Sequence, residues 1–259
     1  MFIKHPKDIL SARHEFKEFS PRIYLIITEY LFLWFLKTTQ ETFLNSKKVT
    51  CNICGWQGNG FFPDIVNERL DKDKLCPHCT SQPKDRNLKW FLDHENISYQ
   101  HKSILDIAPS RCLLEYFKNK KTIDYVAIDL YPNSENILKM DLTKLTFPNA
   151  SFDLVFCFNV LEHVDDDRKA LKEIKRVLKQ RGQVILSVPI NNDLEKTVEY
   201  TEPDKRDSFH RREYGKDFSE RVESIGFNVL KTNWSSYFSS TEKHQYGLRA
   251  GEFYILKLI

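Results

Sequence analysis

The chain has little glycine, 8 residues in 259. Nucleotide-binding loops usually need glycine, so any such loop here has to be built from other small residues. An excess of charge of one sign is also lacking. The formal net charge of +3 is too small to argue for nucleic acid by itself, because phosphate binders concentrate basic charge on one face. A membrane-spanning run is missing as well. The segment nearest to one, Ile23 to Leu36, is apolar except at Thr28 and Glu29. As a helix it reaches roughly 21 Å, against a hydrocarbon core of roughly 30 Å, which excludes a transmembrane span. Lys37 follows it with no small-residue cleavage site, which argues against a signal peptide. Residues 23–36 read first as a buried helix packing on the main domain. The alternative is a peripheral membrane contact beside a lipid-linked substrate. No internal repeat or low-complexity tract occurs.

The composition, 41% hydrophobic and 29% charged, is that of a soluble globular protein. The length suits one ordinary domain with a small module attached. Four sections follow. Residues 1–46 form a helical, aromatic-rich N-terminal segment, with Pro21 as a first-turn residue. Residues 47–85 carry cysteine pairs and look loop-rich. Residues 86–102 make a connecting helix and linker, on the helical spacing of Leu88, Phe91 and Leu92. Residues 103–259 form the main domain.

Four of the six cysteines stand as two pairs, Cys51-x-x-Cys54 and Cys76-x-x-Cys79, with 21 residues between them. Two such knuckles wrap four thiolates tetrahedrally around one Zn²⁺. Gly55 supplies the tight turn that a knuckle needs. His78 is within reach but stays a bystander, since four cysteines fill the shell. A full shell assigns the zinc a structural role. The basic residues nearby are interspersed with Asp64, Glu68, Asp71, Asp73 and Asp85, and that mixed charge favours a staple over a nucleic-acid grip. Paired knuckles of this kind place the chain inside the cell, in the cytoplasm. Cys112 and Cys157 stand alone in apolar surroundings and read as core residues.

From Ser103 onward short apolar runs (104–107, 125–130, 152–158 and 183–188) alternate with stretches long enough for helices. Two further strands fall around 227–231 and 253–258. This pattern predicts an α/β fold, a mostly parallel seven-stranded sheet with helices on both faces. In such sheets ligands sit at the carboxyl ends of the strands, near the switch in strand order. Asp106 to Ser110 runs from a first strand into a tight loop before a helix. Asp129 ends the second strand 23 residues later, where an acidic residue suits ribose hydroxyls. Asp141-Leu142 follows, and then the buried run Phe152 to Phe158 ending at Asn159.

The stretch Ile104 to Ile190 resembles the class I S-adenosylmethionine-dependent methyltransferases, particularly their type 11 group, in SFDLVFCFNVLEHVDD and ALKEIKRVLKQRGQVILSVP. The cysteine pairs, the Ala-Pro loop, LEHV and His210-Arg211-Arg212-Glu213-Tyr214-Gly215 are similar to a bacterial subgroup with a Cys-rich front module. The resemblance implies a Rossmann-like domain that holds S-adenosyl-L-methionine. Asp106, Ile107, Ala108 and Ser110 are implied at the methionine part, Asp129 and Leu130 at the ribose, Asp141 and Leu142 beside adenine, and Asn159, after the fourth strand, as a further cofactor contact. One departure stands out: the family loop is usually Asp-x-Gly-x-Gly, and here it reads Asp106-Ile107-Ala108-Pro109-Ser110.

Transfer to a hydroxyl or ammonium needs a base. His163 after the fourth strand and His210 in the loop before the last helix are the candidates, because histidine titrates close to neutral pH. Tyr214 and Tyr200 are expected in substrate-facing loops. Methylation of base amines usually shows Asn/Asp-Pro-Pro-aromatic after the fourth strand, whereas this chain has Asn159-Val160-Leu161-Glu162. The expected acceptor is therefore an oxygen or nitrogen of a small molecule, a glycan or a lipid-linked substrate. The alternatives are an RNA methyltransferase gripping nucleic acid through the zinc module, and a non-catalytic scaffold.

Overall fold

The computed structural model describes residues 48–66, 69–94, 99–204 and 209–259. The expectations for residues 1–46, including the run 23–36, lie outside the described residues. Among the described residues no helix is long and apolar enough to cross a membrane. The chain divides into two compact units, Met1–Phe91 with Phe238–Arg249, and Leu92–Tyr237 with Ala250–Ile259. Phe238–Arg249 groups with the front of the chain, although it falls within the expected section 103–259.

The first unit is built on short pieces. Strands β1 (Val49–Thr50) and β2 (Gln57–Gly58) pair around the first cysteine knuckle, and β3 (Phe62–Val66) pairs antiparallel with β4 (Arg69–Leu75). Helix α1 (Pro83–His94) begins where Asp85 accepts from the Gln82 N–H at 2.8 Å. The two knuckles repeat one turn: Gly55 N–H donates to Cys51 O at 2.8 Å, and Thr80 N–H donates to Cys76 O at 2.9 Å. Both turn residues have positive φ, +76° at Gly55 and +63° at Thr80. The late helix Ser240–Tyr246 opens with a capping box between Ser239 and Glu242 and closes at Gly247 with φ +59°. A Cβ on Gly247 would fall 2.5 Å from the Phe61 ring, so glycine is required both by the left-handed cap and by the close approach.

The second unit is a doubly wound sheet. Its elements are β5 (Ser103–Ile107), α2 (Arg111–Lys118), β6 (Asp124–Asp129), β7 (Leu138–Lys139), β8 (Phe152–Phe158), a 3-10 turn (Leu161–His163), α3 (Asp167–Val177), β9 (Leu178–Ser187), β10 (Val198–Asp204), β11 (His210–Glu213), α4 (Phe218–Glu223), β12 (Phe227–Asn233) and β13 (Glu252–Leu258). The seven-stranded order is β12-β13-β9-β8-β5-β6-β7. Strand β13 runs antiparallel to both neighbours, and the remaining pairs are parallel. Strand β8 is apolar because both its faces are covered: Val155, Phe156 and Cys157 are fully buried. Helix α3 turns Ala170, Leu171, Ile174 and Val177 inward, one stripe at helical spacing. Among the described residues two expected helices are absent. The stretch after β6 is a turn leading to the short β7, and the stretch after β9 leads into the β10–β11 hairpin. His210 therefore lies on a strand rather than in a loop.

Candidate functional site

The chain runs from β5 to β6 and β7 on one side, then crosses back to β8 and β9 on the other. The order reverses between β5 and β8, which opens a crevice at their carboxyl ends. The parallel register aligns Ile107 with Ile128 and Cys157, and Asp129 with Lys139. Ile107, Ala108, Ser110, Asp129, Leu130, Asp141 and Asn159 are thereby brought to one edge of the sheet.

Each has its own surroundings there. The Asp106 carboxylate is buried, 3% exposed, and accepts from the Tyr125 hydroxyl at 2.8 Å. Burial, with the carboxylate beside it, pushes the Tyr125 phenol upward and keeps it a donor. Ile107 is buried, so it can face a ligand only through its backbone. Ala108 is exposed at φ +52°, its N–H donating to Ile128 O at 2.8 Å. Ala108 thus takes the left-handed turn that glycine usually takes. Ser110 caps α2, its hydroxyl accepting from the Leu113 N–H, and the N-terminus of α2 presents its partial positive charge at this edge. Asp129 accepts from the Tyr131 N–H at 2.9 Å, and the neighbouring Leu130 and Tyr131 are exposed. Asp141 accepts from the Thr143 N–H and hydroxyl at 2.8 and 2.9 Å, and these bonds hold its carboxyl below the ordinary range. Leu142, expected beside adenine, turns into the core at 6% exposure. Asn159 is exposed with φ +55°.

Beside this edge the 3-10 turn and β11 bring His163 and His210 together, with ring centroids 4.8 Å apart and planes at 76°. His163 is exposed and His210 is buried. Glu162, which the sequence does not mark as a ligand, joins them at 1% exposure. The juxtaposition depends on Arg212, 2% exposed. Its Nη1 donates to Leu161 O at 2.7 Å and Val164 O at 2.6 Å, its Nη2 to Asp165 O at 2.8 Å, and its Nε to Glu199 at 2.8 Å. The strand that carries His210 thus clamps the turn that carries His163. The signal available in the sequence is an arginine two residues after a histidine within the polar block His210 to Gly215.

Tyr214 does not face a substrate. It is fully buried and donates to Asp167 at 2.7 Å, where Arg221 also donates at 2.6 and 2.7 Å. Its placement is that of a core anchor for β11. Tyr200 donates to Glu213 at 3.1 Å. Of the three successive acidic residues, Asp166 caps α3, Asp165 pairs with Arg211 at 2.6 Å, and Asp167 is the buried ion-pair partner.

In the first unit the four knuckle cysteines converge. Cys51 and Cys79 sulfurs lie 3.6 Å apart, and those of Cys54 and Cys76 lie 3.7 Å apart. Four thiolates at about 2.3 Å from one zinc stand about 3.8 Å apart, so the donor set fits. Burial pushes the Cys54 thiol up to about 12, so a thiolate there needs a compensating cation. Arg86, fully buried, supplies one positive charge nearby. Its guanidinium lies 4.0 Å over the Phe61 ring and donates to the carbonyls of Ser81, Lys74, Tyr246 and Gly247.

Residues 94–186 match the family profile described as "Methyltransferase domain". An uncharacterized protein of Methanocaldococcus jannaschii is 39% identical over 98 residues, 38% of this chain and 40% of that protein. A probable S-adenosylmethionine-dependent methyltransferase of Mycolicibacterium smegmatis is 32% identical over 130 residues, 50% of this chain and 48% of that protein. The chain thus spans about half the length of these curated relatives or less. Among solved structures, that of the [4+2]-cyclase SpnF superposes with a TM-score of 0.50 at 13% identity, covering 68% of this chain and 82% of that one. The second unit has the Rossmann-like class I methyltransferase fold.

Proposed function

We propose that this chain is an S-adenosylmethionine-dependent methyltransferase acting on an oxygen or nitrogen of a small-molecule, sugar or lipid-linked acceptor. One observation carries the reading. Asp129 at the end of β6, the left-handed Ala108 turn over buried Asp106, and the N-terminus of α2 meet at the switch point of the sheet. The methyltransferase-domain match over 94–186 spans the same elements.

In this reading Asp129 holds the ribose hydroxyls, as an acidic residue ending the second strand does in dinucleotide sites. The backbone around Ile107, Ala108 and Ser110, seated on the Asp106 carboxylate, receives the amino-acid end. Asp141 stands at the adenine side, with the exposed Leu130 offering apolar cover, and Asn159, at the end of β8 on the other side of β5, is a further cofactor contact. The cofactor, when bound, supplies an activated methyl on a sulfonium. The chain's part is to position the acceptor and exclude water. His163 and His210 stand on the acceptor side, and Tyr214 holds their strand in place. The Cys51, Cys54, Cys76 and Cys79 set holds a structural Zn²⁺, closed to substrate by its full shell.

Calorimetric titration with S-adenosylmethionine and S-adenosylhomocysteine tests this, with Asp129→Ala in parallel. Micromolar binding that the substitution weakens at least tenfold, about 1.4 kcal/mol, supports the reading. A folded, zinc-loaded protein that binds neither ligand would instead be a non-catalytic scaffold.

A further inference from the structure

Outside the cysteine cluster, the described residues hold one other group of metal-ligating side chains, Glu162, His163 and His210. We propose that these three bind a divalent transition-metal cation at the acceptor side of the sheet edge, and that this cation coordinates the acceptor oxygen.

The donor set is the first argument. Two imidazoles and one carboxylate are borderline ligands that suit Mn²⁺, Fe²⁺ or Zn²⁺, and with three protein ligands they leave coordination positions open. Distance is the second. The donor atoms all lie within 4.8 Å of one another. Around one ion, at bonds of about 2.0–2.2 Å, tetrahedral neighbours stand about 3.3–3.6 Å apart. The closing movement required is therefore at most about 1.5 Å, and His163 is the exposed member that can make it.

Rigidity is the third argument. Glu162 and His163 sit on a 3-10 turn whose carbonyls Arg212 grips, and His210 sits two residues before Arg212 on β11. The element that supplies one ligand thus fixes the element that supplies the other two. Burial is the fourth. Glu162 at 1% and His210 at 9% exposure are held inside, where a carboxylate beside two imidazoles is favoured by a cation among them. Exposed His163 leaves the outer side of the site open to a ligand.

The substrate class follows, and this part rests on the methyltransferase reading. A cation with open positions favours an acceptor hydroxyl with a second oxygen beside it, such as a vicinal diol, a hydroxy acid or a catechol. Coordination lowers the proton affinity of that hydroxyl, and the proton leaves to water. His163 and His210 then serve as metal ligands rather than as the base.

The test uses the full chain carrying one equivalent of zinc, which the four thiolates take, titrated with Mn²⁺, with unbound Mn²⁺ read by electron paramagnetic resonance. A hard ion such as Mn²⁺ leaves the thiolate cluster to zinc. One Mn²⁺ per chain is expected, with affinity falling at least tenfold in Glu162→Gln and in His163→Ala and unchanged in His244→Ala. His163 is exposed, so its variant keeps the test informative if Glu162→Gln fails to fold. Absence of Mn²⁺ binding, or binding indifferent to His163→Ala, overturns the site. With Mn²⁺ bound stoichiometrically, 4-nitrocatechol is expected to shift its visible spectrum with the parent chain and not with His163→Ala. No shift overturns the acceptor class. S-adenosylhomocysteine titration of the same samples separates the two readings. Mn²⁺ binding without it leaves the cation site standing alone, and the converse removes the cation site alone.

Discussion

The Tyr125 hydroxyl donates to the Asp106 carboxylate at 2.8 Å across the adjacent strands β5 and β6. Asp106 aligns with Ala127 in that register, so Tyr125, two residues earlier, reaches it on the same face of the sheet. Phe117 of α2 stacks on the Tyr125 ring at 5.4 Å and 21°. The helix that follows the Ala108 loop therefore holds the phenol that orients the carboxylate beneath that loop.

Tyr125→Phe tests this coupling. The ring and its stacking survive while the donor is lost, which leaves the buried carboxylate short of one hydrogen bond. A destabilisation of about 1–3 kcal/mol is expected. Weaker S-adenosylhomocysteine binding should accompany it, read by thermal unfolding and calorimetry on one sample. Unchanged stability would mean that the pair contributes nothing in solution.

At Ala108 the backbone itself is under strain. A non-glycine residue at φ +52° pays about 1–2 kcal/mol for the left-handed conformation, while glycine loses about 0.5–1 kcal/mol of chain entropy on folding. Ala108→Gly is therefore expected to be neutral or up to about 1.5 kcal/mol stabilising. Ala108→Val should destabilise, because branching at Cβ worsens the same clash. Denaturant midpoints for the two variants check the order, and a Val variant as stable as the parent would refute the strain.

These positions explain what was legible from residues alone. Periodicity and spacing located the parallel sheet, the knuckles and the edge residues, because strand burial and metal-ligand spacing are local properties. Asp167 and Tyr214 were not legible in their actual roles. Asp167 meets Arg212 and Arg221, 45 and 54 positions away in the sequence, Tyr214 donates to it, and no local pattern encodes such a meeting. The same holds for Phe238–Arg249. Its place beside the cysteine knuckles rests on the Trp90–Phe238 contact at 4.9 Å and the Arg249–Asp71 pair at 2.5 Å. Glu162 was hidden in a motif read for its histidine. Its burial comes from packing that a 3-10 turn does not announce.

Arg86 gives a prediction for the first unit. A zinc held by four thiolates carries net charge −2, and Arg86 is the buried guanidinium close enough to interact with Cys51, Cys76 and Cys79. Arg86→Met removes that charge and leaves the carbonyls of Ser81, Lys74, Tyr246 and Gly247 without their donor. A loss of about 3–5 kcal/mol is expected, together with faster zinc release to a chromogenic chelator. A variant that keeps both stability and metal would show that the charge is not needed.

The last prediction concerns acid. The Asp153 carboxylate accepts from the Ser103 N–H at 3.0 Å, the Ser103 hydroxyl at 2.9 Å and the Lys179 ammonium at 2.7 Å. Burial pushes its pKa upward, but Lys179 and Ser103 outweigh that and hold it at about 2. At Asp167 burial also acts upward, and Arg221, Tyr214 and Arg212 outweigh it. Both carboxylates are more acidic folded than unfolded. Their contribution is therefore fully present above the unfolded carboxylate value of about 3.9 and is lost as pH falls through the folded one. The urea midpoint should hold steady from pH 7 to about 5 and then drop steeply between about pH 4 and 2. Asp153→Asn should lower the midpoint at pH 7 and flatten that slope, because the substituted amide takes up no proton. Serine and lysine remain to hydrogen-bond the amide oxygen, so the variant should stay folded at neutral pH. An unchanged slope would mean that Asp153 titrates alike in both states and that its ion pair with Lys179 does not form in solution.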